Sequence, residues 1–92
     1  MTARVEAYID QNQNRFIEEL KEFIRFPSVS AQRAHDKDTR ACAEWVVGQL
    51  KGLGFDAGLV DVGGQPIVRA LRKGKSSKRV MIYGHYDVQP ED

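Results

Sequence analysis

Gly52-Leu53-Gly54-Phe55-Asp56-Ala57-Gly58-Leu59-Val60-Asp61-Val62 is the stretch on which the fold turns. Before it, apolar residues recur at helical spacing. After it, they crowd into short runs rich in β-branched side chains. Gly52 and Gly54 bracket a helix C-terminus, where a left-handed residue is needed and glycine adopts it without strain. Upstream, Cys42, Trp45, Val46, Gln49, Leu50 and Leu53 mark the inner face of a helix predicted from Asp38 or Thr39 to Leu53. Downstream, residues 55–62 predict a strand, Gly63-Gly64-Gln65-Pro66 a turn, and residues 67–71 a second strand, together a hairpin.

Further upstream, residues 3–25 read as another helix, with Val5, Ile9, Phe16, Leu20, Phe23 and Ile24 mostly on one face and Tyr8 and Ile17 widening the stripe. Thr2 is placed to cap it, and Pro27 stops it, because the residue before a proline is pushed out of the helical region. Residues 10–14 are poor helix formers, so a break is expected there. Residues 26–37 lack periodicity and read as a loop. Beyond the hairpin, residues 72–78 form a polar loop. Val80-Met81-Ile82-Tyr83 is then continuously apolar, as a strand buried on both faces would be. The predicted class is α/β, in the order helix-helix-strand-strand-strand, with both helices on one side of a small sheet.

At 92 residues the chain is one small domain, with 41% hydrophobic and 29% charged residues, the balance of a globular protein. Fourteen Lys and Arg against thirteen Asp and Glu give a net charge of +1, which speaks against a dedicated nucleic-acid binder. The basic residues Arg69, Arg72, Lys73, Lys75, Lys78 and Arg79 have no interleaved aromatic to stack on bases, and read as a solvated loop. No run is apolar enough to span a bilayer, and no secretory signal is visible, so no membrane association is expected. The single cysteine, Cys42, has no internal disulfide partner, which points to a reducing, cytoplasmic setting.

The chemistry gathers in Tyr83-Gly84-His85-Tyr86-Asp87-Val88-Gln89-Pro90. If a strand continues past Gly84, His85 and Asp87 project to the same side at its carboxyl end, where open α/β sheets place ligands. An imidazole supplies a zinc ligand, and a neighbouring carboxylate can fix its orientation. One histidine and one carboxylate do not complete a zinc site, and a His-x-Asp pair is common. The other histidine, His35, sits beside Asp36 in the polar loop, where surface solvation or a place at a helix start is the better reading. Cys42 and Trp45 read as core.

This motif resembles the first metal-site motif of the M20 family of zinc peptidases and deacylases, and its His-Tyr-Asp-Val-Gln-Pro form looks closest to the dipeptidase branch. Phe23-Ile24-Arg25-Phe26-Pro27-Ser28-Val29-Ser30 is similar to the family's segment after its first helix. Ala43-Glu44-Trp45 with residues 50–55, and Gly64-Gln65-Pro66-Ile67-Val68, resemble its second helix and hairpin turn, so the likeness runs along essentially the whole chain.

The resemblance implies that residues 1–92 are the N-terminal portion of a three-layer α/β/α catalytic domain. His85 would be a metal ligand and Asp87 the catalytic-site acid that orients it. No further cofactor-binding residue is implied. The complete site would hold two zinc ions, with the remaining ligands, the glutamate base and a lid domain used for dimerisation all downstream. No family ligand matches Glu91 or Asp92. The complete enzyme would cleave a small peptide or N-acyl amino acid. By itself this chain would be inactive, bind zinc weakly or not at all, and be prone to associate through the 80–83 strand. The alternative is a non-catalytic fragment or binding module.

Overall fold

A computed structural model describes residues 2–91. Helix α1 spans Thr2–Ile24, a 3-10 turn spans Arg33–His35, helix α2 spans Asp36–Gly52, and strands β1 (Asp56–Val60) and β2 (Ile67–Leu71) follow. The class is α/β, with two helices and a two-stranded antiparallel sheet.

The helix-to-hairpin switch falls where the glycines put it. Leu53 closes α2, and Gly54 takes a φ of 90°. The Gly54 N–H donates to the Lys51 carbonyl and the Phe55 N–H to the Leu50 carbonyl, the paired bonds of a Schellman stop. β1 and β2 pair from Asp56↔Leu71 to Val60↔Ile67. Ala57, Leu59, Val68 and Ala70 provide the half-buried face, and α2 is the element that packs on the hairpin.

α2 begins at Asp36, earlier than the spacing predicts. Asp36 and Asp38 lie in its first turn, favourable to the helix dipole. His35 is its N-cap residue: its carbonyl accepts the Thr39 hydroxyl at 2.9 Å, and its Nδ1 lies 2.8 Å from Asp38 Oδ2. The buried centre consists of Ser28, Val29, Thr39, Cys42, Ala43 and Val47, with Pro66 of the hairpin turn also buried. Cys42 is therefore core, as expected, and Trp45 is half-buried.

α1 departs from expectation in three ways. It runs unbroken through residues 10–14, where the Asn12 side chain bonds the Tyr8 carbonyl at 2.8 Å. Arg15 adds bonds to the Tyr8 hydroxyl at 2.9 Å and to Glu19 at 3.2 Å. These local contacts offset the weak propensity of that stretch. Thr2 lies inside the helix rather than capping it. Finally, α1 does not join α2 on one side of the sheet. It has no buried residue, and it meets α2 at its C-terminal end, where Phe23 stacks on Trp45 with centroids 5.6 Å apart. The part of its stripe before Phe23 has no opposing surface from another element among the described residues.

The predicted third strand does not form. Val80, Met81, Ile82 and Tyr83 are irregular chain, 84% to 89% exposed. A buried strand requires a neighbour to receive its N–H and C=O groups. Among the described residues neither hairpin strand is paired to this run, and none of its backbone groups is bonded. The radius of gyration, 15.5 Å, accordingly exceeds the about 13 Å of a compact 100-residue domain. No helix among the described residues is long and apolar enough to cross a membrane.

Candidate functional site

The segment after Gly84 comes back onto the body of the protein. Val88 forms a parallel bridge with Val29, and its N–H donates to the Ser28 carbonyl at 3.0 Å. The buried Ser28 hydroxyl donates to the Tyr86 carbonyl at 2.9 Å, and the Cys42 thiol lies 3.7 Å from the same oxygen. The Tyr86 hydroxyl donates to the Pro66 carbonyl in the hairpin turn. Residues 86–88 thus rest on the 28–30 segment, α2 and the hairpin together.

This docking brings His85 and Asp87 together, as their spacing led us to expect, although no strand carries them. His85 Nδ1 lies 2.9 Å from Asp87 Oδ1 and 3.2 Å from the Asp87 carbonyl. The other carboxylate oxygen, Oδ2, accepts the Ser30 hydroxyl. The Ser30 bond, first, and the His85 bond hold the Asp87 carboxyl below its ordinary value, against the opposing effect of burial. At neutral pH Asp87 is therefore an ionised acceptor, so both of its partners donate to it. A neutral His85 then carries its proton on Nδ1 and keeps its lone pair on Nε2. The His85 side chain is 74% exposed, leaving Nε2 accessible.

The surroundings also shift two neighbours. Burial, first, raises the Cys42 thiol, opposed by the neighbouring Ser28 side chain. Burial likewise raises the Tyr86 phenol, helped by Cys42 and Asp87 and opposed by Arg40. Cys42 is thus a protonated core thiol rather than a nucleophile. A pocket of about 180 Å³ opens beside the pair, walled by Phe23, Ile24 and Ser28. It is smaller than the roughly 300 Å³ at which small-ligand sites begin.

His35 stands apart, engaged at the start of α2. Glu91 is exposed, and Asp92 lies outside the described residues. Among the described residues no group of three or more His, Cys, Asp or Glu is placed to hold a metal ion. Ser28 and Ser30 were not singled out by the sequence reading. Their alternation in Pro27-Ser28-Val29-Ser30 was the available signal, since i and i+2 residues of an extended segment can serve one partner strand.

No family model matches the chain, and no solved structure matches it. Curated proteins do. The chain is 33% identical over 96 residues to the Cys-Gly metallodipeptidase of Candida albicans and 32% identical over 96 residues to that of Saccharomyces cerevisiae. It is 33% identical over 93 residues to that of Schizosaccharomyces pombe. Each match covers 89% of this chain and 20% of the relative. The chain is thus similar in sequence to these three metallodipeptidases and spans about a fifth of their length.

Proposed function

We propose that this chain supplies part of the metal centre of a zinc-dependent dipeptidase, with His85 as a ligand through Nε2 and Asp87 as the acid that orients it. The observation that carries this reading is the 2.9 Å contact between His85 Nδ1 and Asp87 Oδ1, which leaves an accessible imidazole nitrogen on the far side of the ring. A metal-bound histidine typically donates its other N–H to a carboxylate in this way. The residues fit zinc as one ligand and its orienting partner, whereas a catalytic zinc takes three protein ligands. The remaining ligands are assigned to the part of the protein beyond these 92 residues. Zinc would supply acidity to a bound water, bringing its pKa near 7. In this reading the chain's own residues hold the imidazole in one tautomer and aim its lone pair outward.

The rest of the reading follows from the relationship. The substrate would be a small peptide or N-acyl amino acid, with Cys-Gly as the first to test, since that is the dipeptide in the relatives' name. The whole protein would be a cytoplasmic homodimer with a three-layer catalytic domain, of which residues 1–92 form the N-terminal portion. Residues 80–83 would gain strand neighbours there. The 92-residue chain by itself would bind zinc weakly and cleave nothing.

The test replaces the matched stretch of the Candida albicans relative with this chain. The chimera should cleave Cys-Gly and retain metal. His85→Ala should remove both, and Asp87→Asn should lower metal affinity or activity about 10–100-fold. A folded, active chimera indifferent to His85→Ala would refute the assignment. Chelator-sensitive turnover by the 92-residue chain would also refute it. A folded chimera that neither binds metal nor cleaves would favour a non-catalytic module.

A further inference from the structure

We propose that Ser30 is a positioning residue for His85, acting through Asp87. The idea rests on the reading of His85 as a ligand only for its functional meaning, since the geometry stands without it. Asp87 offers two oxygens, and each has its own donor: His85 Nδ1 at Oδ1, at 2.9 Å, and the Ser30 hydroxyl at Oδ2. The terminal torsion of an aspartate is broad and roughly two-fold, so a carboxylate held at one oxygen can still turn. Held at both oxygens, it presents Oδ1 to the imidazole at a fixed angle.

The hydroxyl that does this is itself anchored. The Ser30 carbonyl accepts Gln65 Nε2 at 3.1 Å, and the same amide nitrogen lies 3.0 Å from Asp36 Oδ1 at the start of α2. One residue back, Val29 is bridged to Val88. Ser30 is thus tied to the hairpin turn, to α2 and to the segment that it serves. The two serines divide the work. The Ser28 hydroxyl is buried and bonds the backbone of residue 86, which docks the segment, whereas the Ser30 hydroxyl bonds the side chain of Asp87. Loss of the Ser30 hydroxyl should therefore free the carboxylate while leaving the segment in place. The imidazole would then keep only the Asp87 carbonyl, at 3.2 Å, as a fixed acceptor for Nδ1–H, a weaker hold on that tautomer.

The experiment is ¹⁵N NMR of the imidazole in the metal-free 92-residue chain, at a pH where His85 is neutral. Its nitrogen shifts report which ring atom carries the proton. In the unmodified chain the Nδ1–H tautomer should dominate. Ser30→Ala should shift the population toward Nε2–H, and Ser30→Thr, which keeps the hydroxyl, should restore it. Exchange protection of the Val88 N–H, read in the same samples, should be unchanged. An Nε2–H tautomer in the unmodified chain, or no shift in Ser30→Ala, would overturn the proposal. A shift accompanied by lost Val88 protection would overturn it too, because Ser30 would then be a docking residue like Ser28. No metal or substrate enters this measurement. A null result for Ser30→Ala leaves His85 as a ligand untouched, and failure of the chimera leaves the tautomer result standing.

Discussion

Residues 80–83 and residues 86–88 are separated by two positions and meet opposite fates. The first is the more apolar run, yet it projects into solvent. The second carries a tyrosine hydroxyl and an aspartate, yet it is fastened to three parts of the molecule. Hydrogen bonding explains the contrast. The Tyr86 carbonyl, the Tyr86 hydroxyl and the Val88 N–H each find a partner on Ser28 or Pro66, whereas among the described residues no backbone group of the earlier run finds one. Apolar composition sets what a segment gains when it is covered. The available hydrogen-bonding partners decide where it can be covered, because an unpaired buried backbone group is costly.

The largest way to break this contrast is to spoil the surface under residues 86–88. Cys42 is 0% exposed, and its thiol lies against the Tyr86 carbonyl. Cys42→Phe should cost about 1–3 kcal/mol by overpacking and lift the segment away, so that both runs become exposed. Thermal unfolding and Val88 N–H exchange would record it. A fully stable variant with a protected Val88 would show that the segment is held by something other than this contact surface. Next in size is Ser28→Ala, which removes one hydrogen bond to the docked backbone and should cost about 1 kcal/mol. The opening free energy of the Val88 amide measures that loss directly.

Acid should separate the two runs by a smaller amount. The Asp87 carboxyl titrates below its ordinary value of about 3.9 when folded, so the unfolded chain binds more protons as the pH falls past that point. The stability that Asp87 contributes is present above about pH 3.9 and is lost as pH falls through the lower, folded value. Its side chain is 41% exposed, which keeps the effect modest. Val88 protection should weaken in this acid range and residues 80–83 should not respond. In Asp87→Asn this contribution to the acid response should vanish.

How much of this was legible in the sequence follows the same division. The α2-to-hairpin switch was readable because its signals are local: two glycines, a change of period and a Gly-Gly turn. β2 was located to the residue, and β1 came out shorter because its ends, Phe55, Asp61 and Val62, leave the ladder. The meeting of His85 and Asp87 was readable from i, i+2 spacing, although the strand expected to carry them is irregular chain. What was not legible depends on partners distant in sequence. Ser30 lies 57 positions from Asp87, and nothing within either segment names the other. The α1 stripe and residues 80–83 are apolar patterns that say a surface should be covered without saying by what, and among the described residues nothing covers them.

The smallest expected change in stability comes from Ile82→Lys, and it tests the exposed half of the contrast. Ile82 is 88% exposed, so replacing it removes little packing and should alter stability by no more than about 0.5 kcal/mol. A loss well beyond that would mean the run is packed after all. Self-association is where the substitution should act. An apolar run with unpaired N–H and C=O groups is a template for pairing with another chain, and a lysine in its middle opposes such pairing. Light scattering across a concentration series should show apparent mass rising for the unmodified chain and rising less for Ile82→Lys. The competing route runs through α1, where Leu20 is also exposed. If Leu20→Lys suppresses association and Ile82→Lys leaves it unchanged, the helix face is the sticky surface, and the bare backbone of residues 80–83 is not what draws a second chain.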